Sequence, residues 1–143
     1  MTSIDFYFNA EDRLQVACRL AGKAMKQGSL MLIYAPDAEV AARVDKLLWT
    51  WPQIGFVPHC AVHSRLAAET PVLIASGDEA PDGCEVLLNL GAECPPHFER
   101  FARLLEVVSR EDQDKEQGRG RFRFYRERGY PISNHDLAQA ADE

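Results

Sequence analysis

The sequence predicts an α/β fold with three layers, in which helices cover both faces of a mostly parallel sheet. Short, continuously apolar runs alternate with longer stretches whose apolar residues recur at helical spacing. Runs that are apolar throughout are typical of buried parallel strands, and helices between them provide the crossovers. The length of 143 residues fits one domain, predicted over residues 1–134, with residues 135–143 as a frayed tail.

The first half of the chain predicts two strand–helix units. Residues 4–8 are β-branched and aromatic, which indicates a strand. Residues 13–27 carry apolar side chains at helical spacing. Residues 30–34 form a continuous apolar run, which predicts a strand buried on both faces. Residues 38–50 predict a second amphipathic helix, with Trp49 off its apolar stripe.

The second half predicts further strands and a third helix. Residues 55–59 indicate an edge strand or an ordered loop, because a proline interrupts them. Residues 72–75 and 86–90 are buried strands by composition. Residues 95–108 are interpreted as a helix, opened by two prolines and bearing apolar side chains at helical spacing. A break in the pattern follows at residues 131–133.

The phosphate-binding fingerprints of nucleotide-binding α/β proteins are absent from the sequence. No GxGxxG follows the first strand, and no GxxxxGK[ST] occurs. Glu11 and Asp12 stand where a phosphate would approach the first helix, and their charge would repel it. The sequence therefore predicts a Rossmann-like scaffold that lacks a nucleotide-binding glycine loop and needs no cofactor.

Candidates for catalysis and metal binding are equally sparse. No GxSxG motif is present, and the carboxylates are expected to be scattered over exposed faces. His59, Cys60 and His63 form a small H-C-x-x-H cluster, but no second pair of ligands accompanies it. We expect neither a metal site nor catalytic residues.

The chain has no hydrophobic run near the roughly 20 residues that a membrane helix needs. Its first residues carry no early positive charge, unlike a signal peptide. We therefore expect a cytoplasmic protein without membrane contact.

Charge is distributed unevenly along the chain. The net charge is −6, but residues 115–128, here called the basic segment, hold six basic and two acidic residues. This segment carries +4, and the remainder of the chain carries −10. Most of the surface would repel nucleic acid phosphates, whereas the basic segment suits a short acidic ligand.

If the basic segment is helical, one face gathers cations around an aromatic ring. The residues of that face are Lys115, Arg119, Phe122, Arg123 and Arg126. Arginine pairs bidentately with carboxylates, so this face suits an acidic peptide with an apolar end. Two alternatives remain: an amphipathic helix whose aromatic residues enter the core, or direct binding of single-stranded nucleic acid.

A second notable stretch is the aromatic segment, residues 48–59. Trp49, Trp51 and Phe56 lie within it, and Pro52 and Pro58 stiffen its turns. An exposed tryptophan beside a rigid loop is typical of protein contacts. The alternative is that these rings cap the core.

Together these stretches resemble the chi-subunit family of the bacterial DNA polymerase III holoenzyme, part of the clamp-loader assembly. The resemblance extends over roughly residues 1–134. Its motifs are the Phe6-Tyr7 strand, the stretch Leu48-Trp49…Pro52…Phe56-Val57-Pro58-His59, and Arg119-Gly-Arg-Phe122-Arg123-Phe-Tyr125-Arg126…Gly129-Tyr130.

The resemblance implies a non-catalytic adaptor for DNA replication, with a Rossmann-like fold and no nucleotide. One surface would bind the psi subunit of the clamp loader as a 1:1 heterodimer; its residues would be Trp49, Phe56, Pro58 and His59. A second would bind the acidic C-terminal tail of single-stranded DNA-binding protein (SSB); its residues would be Lys115, Arg119, Phe122 and Arg123, with Arg126 on the same predicted face. DNA would be contacted only indirectly.

Four positions differ from this family pattern or extend it. Phe122 stands where the family often has tyrosine, which keeps the ring and loses a hydroxyl. Gly118 and Gly120 flank Arg119, and each weakens a helix by about 1 kcal/mol relative to alanine. Val108 is a candidate for the apolar wall of the tail site.

Overall fold

The structure is a computed structural model that describes residues 2–50, 59–62, 64, 70–77 and 83–138. These residues form seven strands and three α-helices. The strands are β1 (Ser3–Ala10), β2 (Met31–Tyr34), β3 (His59–Ala61), β4 (Val72–Ala75), β5 (Val86–Asn89), β6 (Arg103–Ser109) and β7 (Ile132–Asp136). The helices are α1 (Arg13–Lys26), α2 (Ala38–Thr50) and α3 (Asp112–Glu127).

All seven strands are parallel and form one sheet in the order β3-β4-β2-β5-β6-β1-β7. Helices α1 and α2 pack on one face, against small and aliphatic side chains such as Ala21 and Ile33. Helix α3 packs on the other face, where aromatic residues such as Phe6 and Tyr125 dominate. The predicted three-layer α/β fold is confirmed. None of the described helices is long and apolar enough to cross a membrane.

The elements predicted in the first half are confirmed to within about two residues at their ends. Helix α1 begins after Asp12, whose Oδ1 accepts hydrogen bonds from the backbone N–H groups of Leu14 and Gln15 at 3.1 and 3.2 Å. It ends before Gly28, whose φ of +77° suits a residue without a side chain. Strand β3 lies at the sheet edge and begins at His59; residues 55–58 of the predicted edge strand lie outside the described residues.

The helix predicted over residues 95–108 is wrong. The structure has a single 3-10 turn at Phe98–Arg100, followed by strand β6. The run Leu104–Val108 is buried on both faces, as a central strand must be, and its apolar spacing matched a helix by coincidence. Glu106 in the middle of this run also argued against a buried strand, because a charged side chain is rare in such a position.

The C-terminal part contributes a strand that the sequence did not predict. Residues 132–136 form β7 and pair in parallel with β1, so residues 135 and 136 of the predicted tail belong to the sheet. The Leu137 N–H also donates to the Phe8 carbonyl at 3.0 Å. Residues 139–143 lie outside the described residues.

Candidate functional site

Helix α3 presents the predicted cationic face on the aromatic side of the sheet. It runs without interruption through Gly118 and Gly120, so the weakening expected there does not end it. Packing against the sheet stabilises the helix beyond its intrinsic propensity. Arg119 therefore lies in mid-helix and is exposed, as are Arg123 and Arg126.

A mostly apolar cavity of about 320 Å³ lies between α3 and the strands β1, β6 and β7. Apolar walls come from Phe6 and Phe8 of β1, Val108 of β6 and Phe122 of α3. The polar lining residues are Asn9, Ser109, Lys115, Arg119 and Asn134. Val108, the candidate apolar wall, does line this cavity.

A second, somewhat smaller cleft of about 270 Å³ lies along α3. Its lining consists of Arg119, Phe122, Arg123 and Arg126. Arg119 and Phe122 line both spaces. The apolar cavity and the cationic cleft therefore adjoin at Phe122. An edge contact with Phe6, at 5.3 Å between ring centroids, holds the Phe122 ring in place.

The cations of this face are available to a ligand. Of the carboxylates in the described part of the chain, none comes within 4.0 Å of Lys115, Arg119, Arg123 or Arg126. The structure thus brings together all five residues predicted for the acidic-peptide site, beside a cavity that suits an apolar side chain.

Arg121, in the same basic segment, has a different environment. Its side chain points into the protein and is 3% exposed. Its Nε donates to Glu106 Oε1 at 2.9 Å, and its Nη1 donates to the Ala92 carbonyl at 2.8 Å. The basic segment therefore shows one cation fewer at the surface than its sequence suggests.

Glu106, fully buried on β6, is the acceptor at the centre of this network. The Tyr125 hydroxyl donates to its Oε2 at 2.6 Å, and Asn89 Nδ2 donates to the same oxygen at 3.0 Å. Burial raises the pKa of Glu106, while the hydrogen bonds from Arg121, Tyr125 and Asn89 oppose that shift. The network fastens α3 to the sheet directly beneath the cationic face.

The expectation that carboxylates lie only on exposed faces is wrong for Glu106, and sequence reasoning missed its role. One signal was present: a glutamate inside the otherwise apolar run Leu104–Val108. A buried carboxylate requires partners, and a basic residue in a neighbouring amphipathic helix is the natural candidate.

The second predicted surface is described only in part. Trp49, on α2, is 57% exposed. His59 is buried behind it, with 5.2 Å between the ring centroids, and its Nε2 lies 3.0 Å from Asp45 Oδ1. Phe56 and Pro58 lie outside the described residues. The structure thus brings Trp49 and His59 together, with the tryptophan at the surface.

A polar crevice of about 490 Å³ lies where α1 and α3 leave adjacent strands on opposite faces of the sheet. Ligands of open α/β sheets commonly bind at such a position. Here Asp12 caps α1 with its own carboxylate, and Arg13 donates to the Val107 and Gly91 carbonyls at 3.1 and 3.2 Å. Asp12 and Arg13 thus engage backbone N–H and guanidinium groups that could otherwise hold a phosphate.

Within the described ranges, no three His, Cys, Asp or Glu side chains are grouped closely enough to hold a metal ion. His63 of the H-C-x-x-H cluster lies outside those ranges.

Comparison with known proteins identifies relatives over nearly the whole chain. Residues 1–133 match the family model described as DNA polymerase III chi subunit. The DNA polymerase III subunit chi of Pseudomonas aeruginosa is 37% identical over 96% of this chain and 98% of its own length. The Escherichia coli subunit chi is 28% identical over 83% of this chain and 82% of its own length.

Among solved structures, the C-terminal domain of S. cerevisiae Dbp5, bound to Gle1, is similar with a TM-score of 0.58. The similarity covers 93% of this chain and 90% of that domain at 6% sequence identity. At that identity it shows a shared α/β fold alone.

Proposed function

Because the chain belongs to the family of DNA polymerase III chi subunits, we propose that it is a non-catalytic adaptor between two replication proteins. One partner is the acidic C-terminal tail of SSB, and the other is the psi subunit of the clamp loader. Such an adaptor tethers the replicase to template coated with SSB, and it contacts DNA only through its partners.

The observation that supports tail binding is an apolar cavity beside exposed cations of α3 that no described carboxylate approaches within 4.0 Å. A terminal phenylalanine fits the space between Phe122 and Val108, which would bury its ring. Carboxylates of the tail would meet Arg119 and Arg123 in the adjoining cleft, where guanidinium groups can form bidentate hydrogen bonds.

Binding of a labelled peptide, measured by fluorescence anisotropy, tests this half of the proposal. The peptide copies an SSB tail with its acidic residues and terminal phenylalanine, and the control peptide lacks only that phenylalanine. We expect micromolar binding that disappears in the control. Equal binding of both peptides would show that the site recognises only the charge of the tail and not its terminal phenylalanine.

Direct binding of single-stranded nucleic acid through residues 115–128 is the competing function. The structure favours it less, because Arg121 is buried and the Phe122 ring is engaged with Phe6. Stacking of bases requires accessible ring faces. Binding of an oligothymidine without binding of either peptide would favour this alternative.

The support for psi binding is Trp49, which projects from α2 with more than half its surface exposed. A large aromatic side chain at the surface is typical of an interface hot spot. We expect Trp49→Ala to abolish psi binding and to leave tail-peptide binding unchanged, as measured by co-purification and anisotropy. Loss of both activities would indicate misfolding rather than a lost contact.

A further inference from the structure

Gly118 lies where α3 comes nearest to β6. A Cβ atom built at this position would lie 2.7 Å from Val108 Cγ2 and 3.1 Å from Val108 Cγ1, closer than side chains tolerate. Glycine in mid-helix costs about 1 kcal/mol relative to alanine. The close approach of α3 to β6 accounts for glycine at this position, because any side chain here would push α3 or Val108 aside.

The same glycine lines the apolar cavity. Gly118 and Val108 are both among its lining residues, with Lys115 one helical turn before Gly118 and Phe122 one turn after it. A methyl group at Gly118 would enter the contact between the helix and Val108. Whether α3 or Val108 then moved aside, the wall of the cavity would change. A Cβ atom at Gly120, two residues later, would have no described atom within 4 Å apart from its chain neighbours and the backbone of its own helix.

We propose that Gly118 is a specificity-determining residue, which sets the depth of the cavity and lets it accept a large aromatic terminal side chain. This inference rests on the proposed binding of the SSB tail and adds which residue of the site sets its preference for the terminal side chain. With glycine at this position the cavity discriminates phenylalanine from smaller apolar residues by buried ring area.

The test compares two peptides that differ only in the terminal residue, phenylalanine or valine, against the wild-type chain and two variants. Gly118→Ala is expected to weaken binding of the phenylalanine peptide about four- to fifteenfold, the equivalent of one or two buried methylene groups. Binding of the valine peptide should change less than about twofold, because the smaller side chain makes less contact with the wall at Gly118 and Val108.

Gly120→Ala is the matched control. It gives α3 the same gain in helix propensity, and its added methyl group meets open space. Both peptides should bind this variant as they bind the wild type. A Phe-to-Val preference that is the same in Gly118→Ala and in Gly120→Ala would overturn the inference while leaving tail binding in place.

Val108→Ala supplies a third variant, and its result does not depend on how Gly118→Ala folds. It removes the other partner of the contact and enlarges the cavity, so the preference should shift toward a peptide ending in tryptophan. An unchanged preference in Val108→Ala would also overturn the inference. Failure of the wild type to bind the phenylalanine peptide would overturn the proposed tail binding, and this inference with it.

Discussion

Arginine residues lie on both faces of α3, buried and paired on one face and exposed on the other. Arg121 is 3% exposed and bound to Glu106, whereas Arg123, two positions later, is exposed with no described carboxylate nearby. Two positions turn a helix by roughly 200°, so neighbouring cations face opposite sides. Positive charge in a sequence therefore does not by itself identify a binding residue.

The buried face holds the helix in place, and the exposed face is available to a ligand. Beneath α3, Arg121 and Tyr125 converge on one carboxylate of β6, and Gly118 allows the close approach. Above it, no carboxylate of the described residues lies within 4.0 Å of the cations. Substitutions on the first face should change stability, and substitutions on the second should change binding.

The largest effect is expected for Arg121→Ala. This change leaves the Glu106 carboxylate buried without its main charge partner, which costs about 3–5 kcal/mol in comparable cases. Urea unfolding monitored by circular dichroism measures the loss. A destabilisation below about 1 kcal/mol would show that the network does not fasten α3.

Arg121→Met serves as its control. It keeps much of the aliphatic packing of the arginine and leaves Glu106 without its charge partner, while Tyr125 and Asn89 keep their acceptor. A loss of stability as large as that of Arg121→Ala would show that the unpaired carboxylate, and not the missing arginine packing, causes the effect.

A smaller effect, on binding alone, is expected for Arg123→Ala. Loss of one charge-assisted contact should weaken binding of the SSB tail peptide by about 1–3 kcal/mol and leave unfolding unchanged. Arg43→Ala, an exposed arginine on α2, is the matched control and should leave the affinity intact. Unchanged affinity in Arg123→Ala would remove this residue from the proposed site.

The smallest effect concerns alkaline pH. Burial and the neighbouring Glu106 raise the pKa of Tyr125 above its ordinary value. Above about pH 10 the unfolded tyrosine releases its proton while the folded one keeps it, so stability falls by up to about 1.4 kcal/mol per pH unit. Below that pH the contribution of this residue is fully present.

Tyr125→Phe isolates this contribution, because it removes the titrating hydroxyl and keeps the ring. Stability measured by urea unfolding between pH 8 and pH 11 (a range chosen to bracket the ordinary tyrosine pKa of about 10) should fall less steeply in the variant. Parallel profiles for the two proteins would contradict the assignment.

Much of the architecture followed from the sequence because its causes are local. Continuous apolar runs marked β2, β4 and β5, and helical spacing marked α1 and α2. The cationic face of α3 also followed, since side chains three and four positions apart share a helix face whatever lies beneath. The exposure of Trp49 followed from its place off the apolar stripe of α2.

Tertiary structure alone decided what lies under and beside α3. The pairing of Arg121 with Glu106 joins residues fifteen positions apart on different elements, and no local period records it. The same holds for the apolar cavity, whose walls come from three strands and one helix. The physical reason is that periodicity reports which side a residue faces, whereas partners and cavities depend on what the fold places opposite it.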